Sequence, residues 1–187
     1  MRVVAGIAKG REIVAPKGLH TRPTLAKVKE AMFGMIQFDI IDANVLDLFS
    51  GSGGLGIEAI SRGAAHVTFS DSDRLAVSAV KSNLKRLGFE DRAFVNYGDS
   101  IALLDRLSSE GKRFDVVLLD PPYKSDLESR AIAALDGLGL LKNGSILICE
   151  HSLKNPPVFS ERFSVKKARK YGDSSVTYAV YVGEEEQ

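Results

Sequence analysis

Two short stretches of this 187-residue chain hold residue types that chemistry needs, at spacings chemistry can use. The first is VVLLDPPYKS, residues 116–125, an apolar run with strand character that stops at an acid, two prolines and a tyrosine. Proline has no backbone N–H and a fixed φ, so Pro121 and Pro122 end any ladder to which Val116–Leu119 belong and stiffen the chain that follows. An exocyclic amino group on a nucleobase is a poor nucleophile, because its lone pair is delocalised into the ring until its hydrogens are held out of plane. Asp120 can accept one N–H and the Pro121 carbonyl another, and both acceptors stabilise positive charge that develops on the nitrogen. Tyr123 offers a ring on which the base can stack.

The second stretch is VLDLFSGSGGLGIEA, residues 45–59, which contains Gly51, Gly53 and Gly56 in a strict G-x-G-x-x-G. Glycines let backbone turn tightly and approach a ligand closely, and a following helix offers free N–H groups. No Lys-Ser/Thr pair follows, which excludes a P-loop. A nucleotide site of this kind needs an acid about twenty residues on for the ribose hydroxyls; Asp71 fits, with Asp73 close by. Two features favour S-adenosylmethionine over a dinucleotide. Asp47 precedes the first glycine by four residues, where a carboxylate can hold a cationic amino-acid group and would repel a pyrophosphate. Asp99, in NYGDS, ends a strand where a polar contact with adenine is available. Phe49, Ser52 and Ser100 complete the expected cofactor lining.

The elements that must position these groups alternate regularly. Strands are expected at Val45–Phe49, His66–Asp71, Ala93–Tyr97, Phe114–Leu119 and Ser145–Glu150. Helices are expected at Leu55–Arg62, Arg74–Leu87, Ile101–Ser109 and Asp126–Leu138, with Leu75, Val80, Leu84 and Leu87 on one face. Such units make a parallel sheet covered on both faces. The last segment, FSVKKARKYGDSSVTYAVYVG, has room only for two strands around a Gly/Asp/Ser turn, so an antiparallel hairpin closes the sheet. Before it all, RVVAGIAKGREIVAP reads as two strands around an AKG turn, and Thr24 as the N-cap of a helix over LAKVKEAMFGMI. The division is a basic hairpin-and-helix unit over residues 1–40 and a larger α/β domain over 41–187.

Charge is distributed unevenly. Residues 1–30 carry seven lysines and arginines against two glutamates, while the rest of the chain is net acidic. That is the footprint of a phosphate-backbone contact, with Lys9, Arg11, Lys17 and Arg22 as candidates and a second cluster at Lys166, Lys167 and Arg169. The single cysteine, Cys149, sits in an apolar run as a small buried hydrophobe and excludes a disulfide framework. Charges interrupt every early apolar run, so neither a signal peptide nor a membrane span is expected, and the reading is a cytoplasmic protein. His20, His66 and His151 form no metal spacing with Cys149, so no metal is expected; His66 reads as structural, and His151 lies near enough to the site to approach it.

Taken together, these residues resemble the class I S-adenosylmethionine-dependent methyltransferases. Nearly end to end, RVVAGIAKGR, APKGLHTRPT, VKEAMF, VLDLFSGSGGLGIEA, SRGA, FDVVLLDPPY and KYGDSSVTY are similar to the RsmD-type family. The resemblance implies a Rossmann-like, seven-stranded, mostly parallel sheet with a C-terminal antiparallel hairpin and a small N-terminal β-hairpin/helix extension. It further implies methyl transfer to the exocyclic N2 of a guanine in 16S rRNA, free or in the small-subunit particle, by a monomer, with Asp47, Gly51, Gly53, Asp71 and Asp99 around the cofactor. The family commonly has glutamate where FSDSD places Asp71, which shortens the reach to the ribose. The base identity comes from the resemblance alone: the acid–Pro–Pro–Tyr chemistry equally suits an adenine-N6 methyltransferase of DNA or RNA. A non-catalytic RNA-binding assembly factor and an NAD-dependent oxidoreductase are the other readings.

Overall fold

A computed structural model of the chain describes residues 1–15, 26–122 and 126–183. Seven strands form one sheet: β1 (Asn44–Asp47), β2 (His66–Asp71), β3 (Ala93–Tyr97), β4 (Phe114–Leu119), β5 (Leu141–Ser152), β6 (Phe163–Tyr171) and β7 (Ser174–Tyr181). The helices are α1 (Ala26–Met35), α2 (Gly54–Ser61), α3 (Arg74–Leu87), α4 (Ser100–Ser109) and α5 (Leu127–Gly137). The strand order is β3-β2-β1-β4-β5-β7-β6. β1 to β5 pair in parallel, and β7 joins β5 and β6 antiparallel. The chain leaves β1 toward one edge and returns to its other side at β4. That reversal opens a crevice at the carboxyl ends of β1 and β4.

Alternation along the central strands builds two cores. Val45, Val116 and Leu118 face one layer with α1, α2, α3 and the N-terminal segment, represented by Val3, Ile13, Phe33, Ile57 and Val80. Leu46, Val117 and Leu119 face the other with α4 and α5, represented by Leu104, Leu107, Ile132 and Leu135. Strands buried on both faces read as unbroken apolar runs, as Val116–Leu119 does.

Element boundaries differ from expectation in instructive places. β1 ends at Asp47, and Leu48 and Phe49 already turn toward the glycine loop. β5 runs on to Ser152 because β7 supplies an antiparallel partner as far as Ser174. Leu75 does not join the apolar face of α3: it is exposed, and Ala76, Val77, Val80, Asn83 and Leu84 are buried instead. At about 100° per residue Leu75 lies roughly 140° around the helix from Val80, on the face turned away from the core. The expected Thr24 cap lies outside the described residues.

The N-terminal segment forms a single antiparallel bridge, Arg2 with Glu12, in place of two strands. Val3 N–H donates to the Arg11 carbonyl and Ile13 N–H to the Met1 carbonyl across the hairpin, while four other backbone donors are engaged by α2. Val4 and Ala5 N–H donate to the two carboxylate oxygens of Glu58 at 2.8 and 2.9 Å, Ile7 N–H to the Ser61 carbonyl and Ala8 N–H to Ser61 Oγ. Glu58 is fully buried in the middle of α2, and Lys29 of α1 and Arg62 also meet its carboxylate, at 3.0 and 2.8 Å. One acid thus ties the segment, α1 and α2 together, and Lys29 is no surface charge. Asn83 of α3 adds a second tie, exchanging hydrogen bonds with both N–H and C=O of Val14.

Removing one partner of a buried ion pair strands the other. Glu58→Ala is therefore expected to cost about 3–5 kcal/mol in denaturant unfolding, several times the cost of an exposed pair such as Arg130 with Asp126. Equal, small effects of the two disruptions would contradict this anchor.

Candidate active site

The site is assembled at the carboxyl ends of three adjacent strands. Asp47 ends β1 opposite Phe69 of β2 and Leu118 of β4. Asp71 ends β2, and Asp120 follows β4 by one residue. Between β1 and α2 the glycine loop is pinned to the end of β2. Ser50 donates both its N–H and its hydroxyl to the Ser70 carbonyl, and Gly51 N–H donates to Asp71 Oδ2 at 2.8 Å. Gly53 caps α2 at φ +84°, a conformation that a side chain disfavours.

Asp47 is the unusual group. It is 1% exposed; Oδ2 accepts the Gly56 N–H at 2.8 Å, and Oδ1 has no hydrogen-bond partner among the described residues. Burial, opposed by the Gly56 bond and reinforced by the charges of Asp120 and Asp71, raises its pKa from 3.8 to about 7. A cation is the natural complement of such a carboxylate. The residues present therefore fit the positively charged amino-acid portion of S-adenosylmethionine, with Asp47 and the loop from Gly51 to Gly53 to hold it.

The other expected residues divide by what their side chains already do. Asp71 accepts from Gly51 N–H and Asp73 N–H, one on each oxygen, and is half-buried beside the loop. Asp73 caps α3 through Leu75 N–H, so of the two acids Asp71 is the one that faces the loop. Asp99 caps α4 through Ile101 and Ala102 N–H at 2.8 Å and remains exposed at the end of β3. Ser100 is buried, its hydroxyl 3.2 Å from that of Ser70. Phe49 is half-buried against the core of α4 and α5. Ser52 is buried, its carbonyl accepting from Asn83 Nδ2 at 3.0 Å. Gly56 lies within α2 and serves by shape: a Cβ there would stand 2.2 Å from the Phe69 ring, so only glycine lets α2 approach β2 closely enough to reach Asp47. Pro121 is buried and Pro122 exposed; Tyr123, Lys17, Arg22 and His20 lie outside the described residues.

Neither Cys149 nor His151 is free to act, although β5 carries both beside β4. His151 is held by both ring nitrogens, to the Ser152 carbonyl at 3.0 Å and Thr177 Oγ1 at 2.9 Å. Burial lowers the pKa of His66 at the start of β2, and burial pushes the Cys149 thiol well up, as suits an inert core residue. Lys9 and Arg11 are exposed on the N-terminal segment, Arg11 donating to the Arg86 carbonyl. Glu58 and Asn83 escaped the sequence reading. The signal was there: each is a polar residue on an otherwise apolar helix face.

Comparisons with known proteins show the family and the fold. A family model described as conserved hypothetical protein 95 matches residues 1–180. A Bacillus subtilis protein, named provisionally as an rRNA methyltransferase, is 42% identical over 151 residues, 81% of this chain and 82% of its own length. Ribosomal RNA small subunit methyltransferase D of Haemophilus influenzae is 33% identical over 182 residues, covering 97% and 93% of the two chains. A solved Escherichia coli structure, titled provisionally as a methyltransferase, superposes with a TM-score of 0.88 at 29% identity, covering 98% and 99%.

The raised pKa of Asp47 has a consequence for stability without ligand. The folded state binds this proton more tightly than the unfolded state, so the stability it contributes is present at low pH and falls away from near pH 4 up to about 7. Asp47→Asn keeps the bond to Gly56 and removes the charge. At about pH 8 the variant should be more stable than the parent by roughly 2–4 kcal/mol, with the difference vanishing near pH 4. Thermal melts at both pH values check this, and a pH-independent difference would contradict it.

Proposed function

The chain belongs to the RsmD-type family of S-adenosylmethionine-dependent rRNA methyltransferases, matched over residues 1–180, and from that premise we propose that it methylates the exocyclic N2 of a guanine in 16S rRNA. The observation that carries the reading is the juxtaposition of Asp47 and Asp120. They end neighbouring strands, and the charge of Asp120 raises the pKa of Asp47. A donor held at Asp47 and an amino group held at Asp120 are therefore adjacent.

Asp47 and the glycine loop bind the amino-acid portion of the donor, and Asp71 takes the ribose hydroxyls. When bound, the sulfonium supplies an electrophilic methyl group. Asp120 accepts one N–H of the target amino group and the Pro121 carbonyl the other, which turns the nitrogen lone pair out of the ring and offsets the charge it gains. Asp120 is also placed to receive the proton that the methylated nitrogen gives up. Tyr123 stacks on the base. The N-terminal unit, residues 1–40, contacts RNA phosphates through Lys9, Arg11, Lys17 and Arg22. The protein acts as a cytoplasmic monomer on the rRNA or the small-subunit particle; among the described residues no helix is long and apolar enough to cross a membrane.

Asp120→Ala separates donor binding from chemistry. Removing a negative neighbour lowers the pKa of Asp47, so donor affinity should hold or rise slightly, while methyl transfer to 16S rRNA falls at least about a hundredfold. Nucleoside analysis of the parent's product should give N2-methylguanosine. Normal turnover by the variant would overturn the role of Asp120, and N6-methyladenosine would overturn the base assignment.

A further inference from the structure

The outer edge of the sheet carries a charged surface that the site does not use. β6 is the last strand in the order, and every residue from Val165 to Lys170 is exposed. Four of those six are cations: Lys166, Lys167, Arg169 and Lys170. None of them makes an ion pair with a described residue. A few lysines on an edge strand guard against edge-to-edge association. That purpose does not explain this density, because the opposite edge strand of the same sheet, β3 (AFVNY), has no lysine or arginine.

Register places the cluster relative to the site. Leu119 pairs with Cys149, so Asp120 lies level with Glu150; Glu150 pairs with Val176, and Val176 with Arg169. Arg169 is thus three strand spacings across the sheet from Asp120, about 14 Å. The hairpin turn at Gly172 and Asp173 is at the same end of the sheet as the site. Lys167 and Arg169 share a face with their cross-strand partners Tyr178 and Val176, which pack with α1 and the N-terminal segment. The bulge between Val165 and Lys167 leaves Lys166 outside that alternation, and Lys170 projects from the other face. The acids facing this surface are Asp173 in the turn, Asp39, whose charge reaches Tyr178, and the buried Glu150, two strands in from Arg169 on the same face.

We propose that the edge of β6, centred on Lys167 and Arg169, is a second RNA-contacting surface that holds backbone phosphates within a few nucleotides of the target base. It rests on the reading of rRNA as substrate. The N-terminal segment packs on the same face of the sheet, and the turn that follows Arg169 lies at the end where Asp120 stands, so an RNA strand whose target base is held at Asp120 can also be held at this edge. Two points of attachment orient the target better than one, and each phosphate neutralised releases counterions.

The test is RNA binding by the full chain. Filter binding of 16S rRNA across a salt series is compared for the parent, for Lys167→Ala with Arg169→Ala, and for Lys112→Ala with Lys142→Ala, which removes equal charge at the amino ends of the strands. The edge variant should bind about tenfold more weakly, with the slope of log K against log salt reduced by roughly 1–2, while its melting temperature and S-adenosylmethionine affinity match the parent. The control pair should change binding less than about twofold. Parental affinity and slope in the edge variant, or an equal loss in the control pair, would overturn the proposal. Methyl transfer by the parent is scored separately: its absence overturns the functional reading, and the comparison of the variants' RNA binding still decides the edge.

Discussion

A single buried carboxylate organises this protein. Asp47 is driven out of water at the end of β1, within the field of two other acids, and has one oxygen without a partner. Burying a charge in this way is unfavourable unless something pairs with it. In the ligand-free protein the group takes up a proton instead. In the proposed complex a cationic donor relieves the same strain, which couples binding to deprotonation. The features around Asp47 follow from keeping it there: Gly56 because nothing larger lets α2 reach it, Asp71 because its oxygens hold the loop in place, and the reversal of strand order because it opens the crevice beside it.

The second constraint is mechanical. The carboxylate of Glu58 gathers two backbone N–H groups, a lysine and an arginine, and Asn83 links Val14 to the glycine loop through Ser52. The N-terminal segment is consequently fastened to the helices that follow β1 and β2 and shares their core. The basic residues it exposes are held in fixed relation to the donor site. Exposed charges contribute most to binding a polyanion when the backbone beneath them is already ordered, since less entropy is lost on binding.

Much of this was legible in the residues. The alternating apolar runs foretold the strands and their parallel order, and the lack of room for a crossover helix in the last segment foretold the antiparallel hairpin. Asp47, Gly51, Asp71 and Asp120, separated by as many as 73 positions, were named from spacing and type and do converge. Leu75 is apolar and near the stripe in sequence, but at 3.6 residues per turn it falls on the other side of the helix from Val80, Leu84 and Leu87. What else escaped has a common cause. Two strands at the N-terminus were a fair reading of its pattern, yet four of its backbone donors went to Glu58 and Ser61, 53 or 54 positions away. Gly56 looked like a ligand contact, and only the Phe69 ring shows that it is a packing requirement. Long-range partners decide such cases, and local pattern does not contain them.

The most direct measurement is the proton balance of donor binding. S-adenosylmethionine is titrated calorimetrically into the protein at about pH 6.5 in two buffers of different ionisation enthalpy. With an Asp47 pKa of about 7 in the free protein, binding should release well over half a proton, and Asp47→Asn should abolish that release and weaken binding by a large factor. Tight binding with no proton released, or unchanged affinity in the variant, would contradict the assignment of Asp47 as the group that holds the donor.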